Sequence, residues 1–171
     1  MPKLINQKPS MAEKKRPLAE EKSKKGTSNG KLRHDLYAKL LQRIDSSIEQ
    51  GFYLEAVTLE ESFIADRLES YAYYKKLCGI KKNLGDLLRP LSTDPEFSKD
   101  LHSEIDSWRK NRNAVLHEMA KFDVGEEADW DEKYSKAKNV AEHGKKLLRK
   151  TDKEILRLRM KTSSLNSKES K

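Results

Sequence analysis

An all-α fold, a bundle of four or five helices, follows from three features of the 171-residue sequence. Apolar residues recur at helical spacing from Leu32 to Leu158, without any sustained strand-like alternation. Gly51, Gly79 and Pro90 fall where those periodic stretches break. A composition of 35% hydrophobic and 37% charged residues suits amphipathic helices around one narrow core.

Residues 1–31 read as a disordered basic tail. Pro2, Pro9, Pro17, Gly26 and Gly30 stand among Lys, Glu and Ser, with too little apolar surface to offset chain entropy. The helical domain is expected over 32–161. Leu32, Leu36, Leu40 and Ile44, flanked by Tyr37, Leu41 and Ile48, form a first helix ending near Gly51. The second carries two apolar stripes, Ala56-Leu59-Phe63-Tyr74-Leu77 and Tyr53-Val57-Ile64-Leu68-Tyr71, so it needs neighbours on two sides. Gly79 is its expected C-cap.

A short helix from Ile80 to Leu88 is expected to end at Arg89-Pro90, because proline disfavours helical geometry in the residue before it. Thr93-Asp94-Pro95-Glu96 then opens the fourth helix. Thr93 and Glu96 have capping-box spacing, while Asp94 before Pro95 offers a competing cap. After Phe122 the pattern breaks at Asp123–Glu127, and Asp129 with Glu132 can cap a long last helix. Its seams are Tyr134-Ala141-Leu148-Ile155 and Ala137-Gly144-Thr151-Leu158, a spacing suited to close antiparallel packing in a bundle. Residues 162–171 read as a flexible tail.

The segment Trp108–His117 places a charge where the pattern calls for an apolar residue. Leu101, Ile105, Trp108, Val115, Leu116, Met119 and Phe122 share one helical face, and Arg112 projects from its middle. Such an arginine must meet an internal carboxylate, line a cleft, or lie at a subunit seam. His117 sits five residues later, about 140° round the helix. On the second helix, Glu60 and Arg67 point into the broad apolar sector, whereas Glu55, Glu61 and Asp66 lie at its polar borders. Glu60 is the first candidate partner for Arg112, with pairing to Arg67 or a snorkelling route to water as the alternative.

The spelling Arg112-Asn113-x3-His117, late in a small all-helical chain, resembles the Arg-x4-6-His signature of the HEPN superfamily. In that family a polar residue often follows the arginine, as Asn113 does here, and an acidic residue on a neighbouring helix often supports the motif. The resemblance implies a metal-independent endoribonuclease, dimeric, with the two motifs facing one RNA strand across a cleft. Arg112 and His117 would be its catalytic residues, Asn113 and Glu60 its supporting residues, and Arg109 a substrate contact. It also implies a toxin or antiphage effector restrained or activated by a partner protein. In one subgroup a tyrosine that the partner modifies stands one residue beyond the histidine; His117-Glu118-Met119 lacks it.

Charge and cysteine content narrow the chemistry. Residues 1–31 hold nine Lys or Arg against three Glu, and 145–171 hold ten against three acids, so the chain's +8 lies at its ends. Such ends suit RNA or another polyanion, or are simply solvated. Cys78 is alone, and His34, His102, His117 and His143 lack zinc-site spacing, so neither metal nor cofactor is expected. No P-loop or glycine-rich phosphate cradle supports a nucleotide-binding helper. Without a membrane-length apolar run or a signal-peptide pattern, a cytoplasmic protein is expected. The rival function is a non-catalytic dimerisation or binding module whose basic ends hold a nucleic acid or protein. It requires Arg112 to be locked against Glu60 or another acid within one subunit, with His117 facing solvent.

Overall fold

The computed structural model describes residues 26–79, 83–119, 121 and 130–169, with side chains for 30–79, 83–119, 121 and 130–161. Two compact units divide the chain, Met1–Leu36 and Tyr37–Lys171. The described part of the first unit opens helix α1 (Gly26–Glu49), which therefore starts inside the stretch expected to be a tail. Extending an existing helix through Lys31 and Arg33 needs no new nucleus, so helix can outrun the apolar pattern. Leu32 and Leu36, expected on the core stripe, are exposed at 69% and 63%. Residues 1–25 of that expected tail lie outside the described residues.

The second unit continues α1 and adds α2 (Tyr53–Tyr74), α3 (Leu84–Leu91), α4 (Lys99–Glu118) and α5 (Trp130–Glu169). The all-α expectation holds: five helices and no strand among the described residues. α1 ends as expected, at Gly51. Gly51 adopts φ +81°, its N–H bonds Ile48 O at 3.2 Å, and the Phe52 N–H bonds Ser47 O at 2.7 Å, a Schellman closure. α2 ends differently from expectation. Lys76, not Gly79, takes the left-handed position at φ +59°, with its N–H on Tyr73 O at 3.0 Å and the Leu77 N–H on Ala72 O at 2.9 Å.

α3 begins at Leu84, where the Asn83 side chain accepts the Asp86 N–H at 2.8 Å. It runs through Pro90 to Leu91 instead of stopping at Arg89. Leu84, Leu87, Leu88 and Leu91 form one buried row, and burying the last of them offsets the backbone hydrogen bond that Pro90 cannot donate. The expected capping box at Thr93 is not formed. Thr93 Oγ1 bonds Pro90 O at 2.9 Å, and the buried Asp94 accepts the Tyr71 hydroxyl at 2.7 Å and the Glu96 N–H at 3.1 Å. Ser98 caps α4 instead, accepting the Leu101 N–H at 3.3 Å.

α5 buries Ala137, Ala141, Leu147, Leu148, Thr151, Ile155 and Leu158, so both expected seams face the core, apart from Tyr134 at 38% exposure. The helix continues to Glu169, through most of the expected tail at 162–171. The break at Asp123–Glu127 and the cap at Asp129 lie outside the described residues. α5 runs parallel to α2, as the tilted rings of Tyr53 and Tyr134 meet at 4.9 Å and Arg67 pairs with Asp152 at 2.7 Å. It runs antiparallel to α4, where Glu104 takes Lys150 at 2.8 Å and Lys133 reaches Glu118 O at 3.0 Å. α2, α4 and α5 converge at Gly144. A Cβ there would overlap the Glu60 carboxyl and stand 2.9 Å from Trp108 Nε1. Trp108 in turn donates to Val140 O at 3.0 Å, which fixes the register of α4 just before Arg112. No described helix is long and apolar enough to cross a membrane.

Candidate functional site

Arg112 projects from the C-terminal half of α4 toward α2 and forms an ion pair with Glu61. Its side chain is only 17% exposed, and its Nε is buried without a hydrogen-bond partner among the described residues. Burial works against the guanidinium charge and lowers its pKa, and the Glu61 carboxylate is the opposite charge beside it. Nη1 donates to Asn113 Oδ1, so Asn113 props the head group from its own helix. Glu61, Arg112 and Asn113 form one polar knot at the edge of the bundle.

Glu60 is not the partner of Arg112. It faces α5 over Gly144, fully buried, and neither carboxyl oxygen has a hydrogen-bond partner among the described residues. Desolvation raises its pKa to about 9, against a small opposing pull from Lys145, so it is protonated at neutral pH. Nor does Glu60 pair with Arg67, which is only 5% exposed, ion-paired with Asp152 and placed over the Tyr37 ring with its guanidinium 5.6 Å from the centroid. The second helix does point both charges inward, but packing against α5 decides what each one meets. Glu61 was legible only as a border residue. Arginine is long enough to reach that border, and this reach was the available signal.

His117 lies exposed in the last turn of α4 and has no hydrogen-bond or ion-pair partner among the described residues. The fold therefore brings Asn113 to Arg112 but leaves His117 apart, as the 140° offset requires. Arg109 is held by Asp106, with contacts of 3.1 and 2.7 Å, and its guanidinium lies beside Gly85 of α3. It is tied into a local ion pair on the flank of α4 toward α3. No cluster of three or more His, Cys, Asp or Glu able to hold a metal occurs among the described residues.

This end of the bundle also exposes aromatic side chains. Phe52 and Trp130 are exposed at 54% and 60%, and with Met119, Tyr53 and Tyr134 they line a shallow cleft next to the C-terminus of α4. No protein-family model matches this chain, and no curated protein and no solved structure matches it.

Proposed function

We propose that this chain is a HEPN-type, metal-independent endoribonuclease that works as a homodimer. The observation that carries the reading is the Glu61–Arg112–Asn113 knot, which presents a fixed guanidinium at the bundle edge on the same helix as an exposed His117 that has no partner among the described residues. In RNA the 2′-hydroxyl attacks the adjacent phosphorus. The O2′–P bond forms, the P–O5′ bond breaks, and the products carry a 2′,3′-cyclic phosphate and a 5′-hydroxyl. His117 moves the proton, taking it from O2′ or giving it to O5′. Arg112 holds two phosphate oxygens in its planar fork and stabilises the charge of the phosphorane. Glu61 and Asn113 position that fork. A dimer lets the arginine of one subunit serve the histidine of the other, which removes the demand that they touch within one chain. The role would be that of a toxin or antiphage effector held in check by a partner protein.

One observation favours a second reading. An intrachain Arg112–Glu61 pair with a solvent-facing His117 is the arrangement a non-catalytic binding module requires. The test is cleavage of mixed RNA in EDTA by wild type, Arg112→Ala, His117→Ala and Glu61→Gln, with end-group analysis. The nuclease reading expects cyclic phosphate ends from wild type, no cleavage by the first two variants, and reduced but detectable cleavage by Glu61→Gln. RNA binding without cleavage by any of the four establishes the binding module.

A further inference from the structure

On the side of the bundle where α5 meets α1 and α2, an open groove of about 460 Å³ is lined by Leu41, Phe63, Leu148, Leu156 and Met160. Phe63 and Leu148 are buried and form its floor, whereas Leu156 and Met160 are exposed at 43% and 69%. The lining comes from α1, α2 and α5 and none of it from α4, which carries Arg112 and His117. A volume of this size with a mainly apolar lining is that of a small-molecule site.

Four charged residues also line the groove, and their pairing is uneven. Asp152 is taken by Arg67 at 2.7 Å, and Arg157 by both carboxylate oxygens of Glu154 at 2.8 and 2.7 Å. Arg149 and Lys153 are exposed and have no hydrogen bond or ion pair among the described residues. Spaced i and i+4 on α5, these two cations are neighbours, so both can reach one anion. Arg149, Lys153, Leu156 and Met160 fall within an arc of about 60° on α5. Along that arc the groove presents charge first and apolar surface after it, over the roughly 18 Å of helix from Leu148 to Met160.

That order of charge and apolar surface selects the occupant. Two uncompensated cations next to exposed leucine and methionine match a molecule with an anionic head and an apolar body. A peptide helix about 10 Å across takes about 420 Å³ for each turn, so the groove would seat only one turn of it. A single unbranched chain lies along the floor. We propose that this groove binds one long-chain carboxylate, its head held by Arg149 and Lys153 and its hydrocarbon chain laid along Phe63 and Leu148 against Leu156 and Met160. The flexible thioether of Met160 and the methylene stems of Arg149 and Lys153 add apolar cover to the chain. The site goes beyond the nuclease reading and stands whether or not RNA is cut.

The full-length protein is titrated by calorimetry with octanoate, decanoate and dodecanoate below their micelle-forming concentrations, and with dodecyltrimethylammonium as the cation of matched chain. Saturable binding of dodecanoate is expected, tightening by about two- to fourfold for each added methylene. Arg149→Gln combined with Lys153→Gln is expected to weaken it about tenfold and to leave Tm close to wild type, because both side chains are exposed. Leu156→Gln combined with Met160→Gln is expected to flatten the dependence on chain length. The proposal is overturned by absence of saturable binding up to about 1 mM dodecanoate, by equal affinity for the ammonium, or by unchanged affinity when Arg149 and Lys153 are both replaced. Co-sedimentation with vesicles of phosphatidylserine and phosphatidylcholine, without dodecanoate binding, would give this face to a membrane surface. An assembly that the Leu156→Gln and Met160→Gln variant disperses, again without dodecanoate binding, would give it to a second copy of the chain. Either result overturns the proposal.

Discussion

The two ends of the bundle close their helices in the same way and use the result differently. α1 ends at Gly51 and α2 at Lys76, each in the left-handed region and each with the same pair of backbone hydrogen bonds. At Gly51 the space is taken, because the Tyr134 hydroxyl lies against the glycine and donates to its carbonyl at 2.9 Å. At Lys76 the chain is open to a cleft, so a long side chain is tolerated at the cost of backbone strain. Local hydrogen bonding sets where a helix stops. The neighbours decide whether the stop must be glycine or can carry a charge.

Between those ends, α2 holds a second contrast, Arg67 paired with Asp152 and Glu60 without a hydrogen-bond partner among the described residues. The largest predicted effect follows from it. An acid whose folded pKa is raised binds its proton more tightly when folded, so its burial is cheapest at low pH. Stability is then lost as pH rises from the ordinary Glu range toward 9, by at most about 1.4 kcal/mol per pH unit. Glu96 and Glu104, lowered by ion pairing, have the opposite sign and lose their contribution only as pH falls through the acid range. Urea denaturation of wild type between pH 6 and 9 is expected to show a falling midpoint, and Glu60→Gln a nearly flat one. A flat wild-type profile would mean that Glu60 gains a partner or water in solution.

Chemistry confined to the motif end is tested next. His117→Ala is expected to reduce RNA cleavage by roughly 100-fold or more, while its Tm stays close to wild type because the side chain is exposed. A large drop in Tm would instead give His117 a structural role. Gly51→Ala meets both an unfavourable φ and the Tyr134 hydroxyl, and should cost about 2 kcal/mol by thermal unfolding. Combined with Tyr134→Phe, it should recover part of that loss. The smallest effect is a gain, since Lys76→Gly should stabilise by about 0.5–1 kcal/mol. A loss there would show that the lysine side chain holds the end of α2 and would end the comparison.

Periodicity made the helices of the bundle legible, because each must hide one face. It placed Ala137, Ala141, Leu148, Ile155 and Leu158 correctly, and it pointed Glu60 and Arg67 into the protein. It could not bound α1 at Leu32 or stop α3 before Pro90. Helix propagation and the burial of Leu91 are decided beyond the local pattern. At the candidate site, the sequence alone determined that Arg112 interrupts an apolar face, that Asn113 adjoins it and that His117 projects elsewhere, since these are consequences of 100° per residue. Only the tertiary structure decided that Glu61 takes the guanidinium and that Glu60 is shut away over Gly144. Two adjacent residues on one helix point about 100° apart, and which of them meets α4 or α5 depends on where those helices pack.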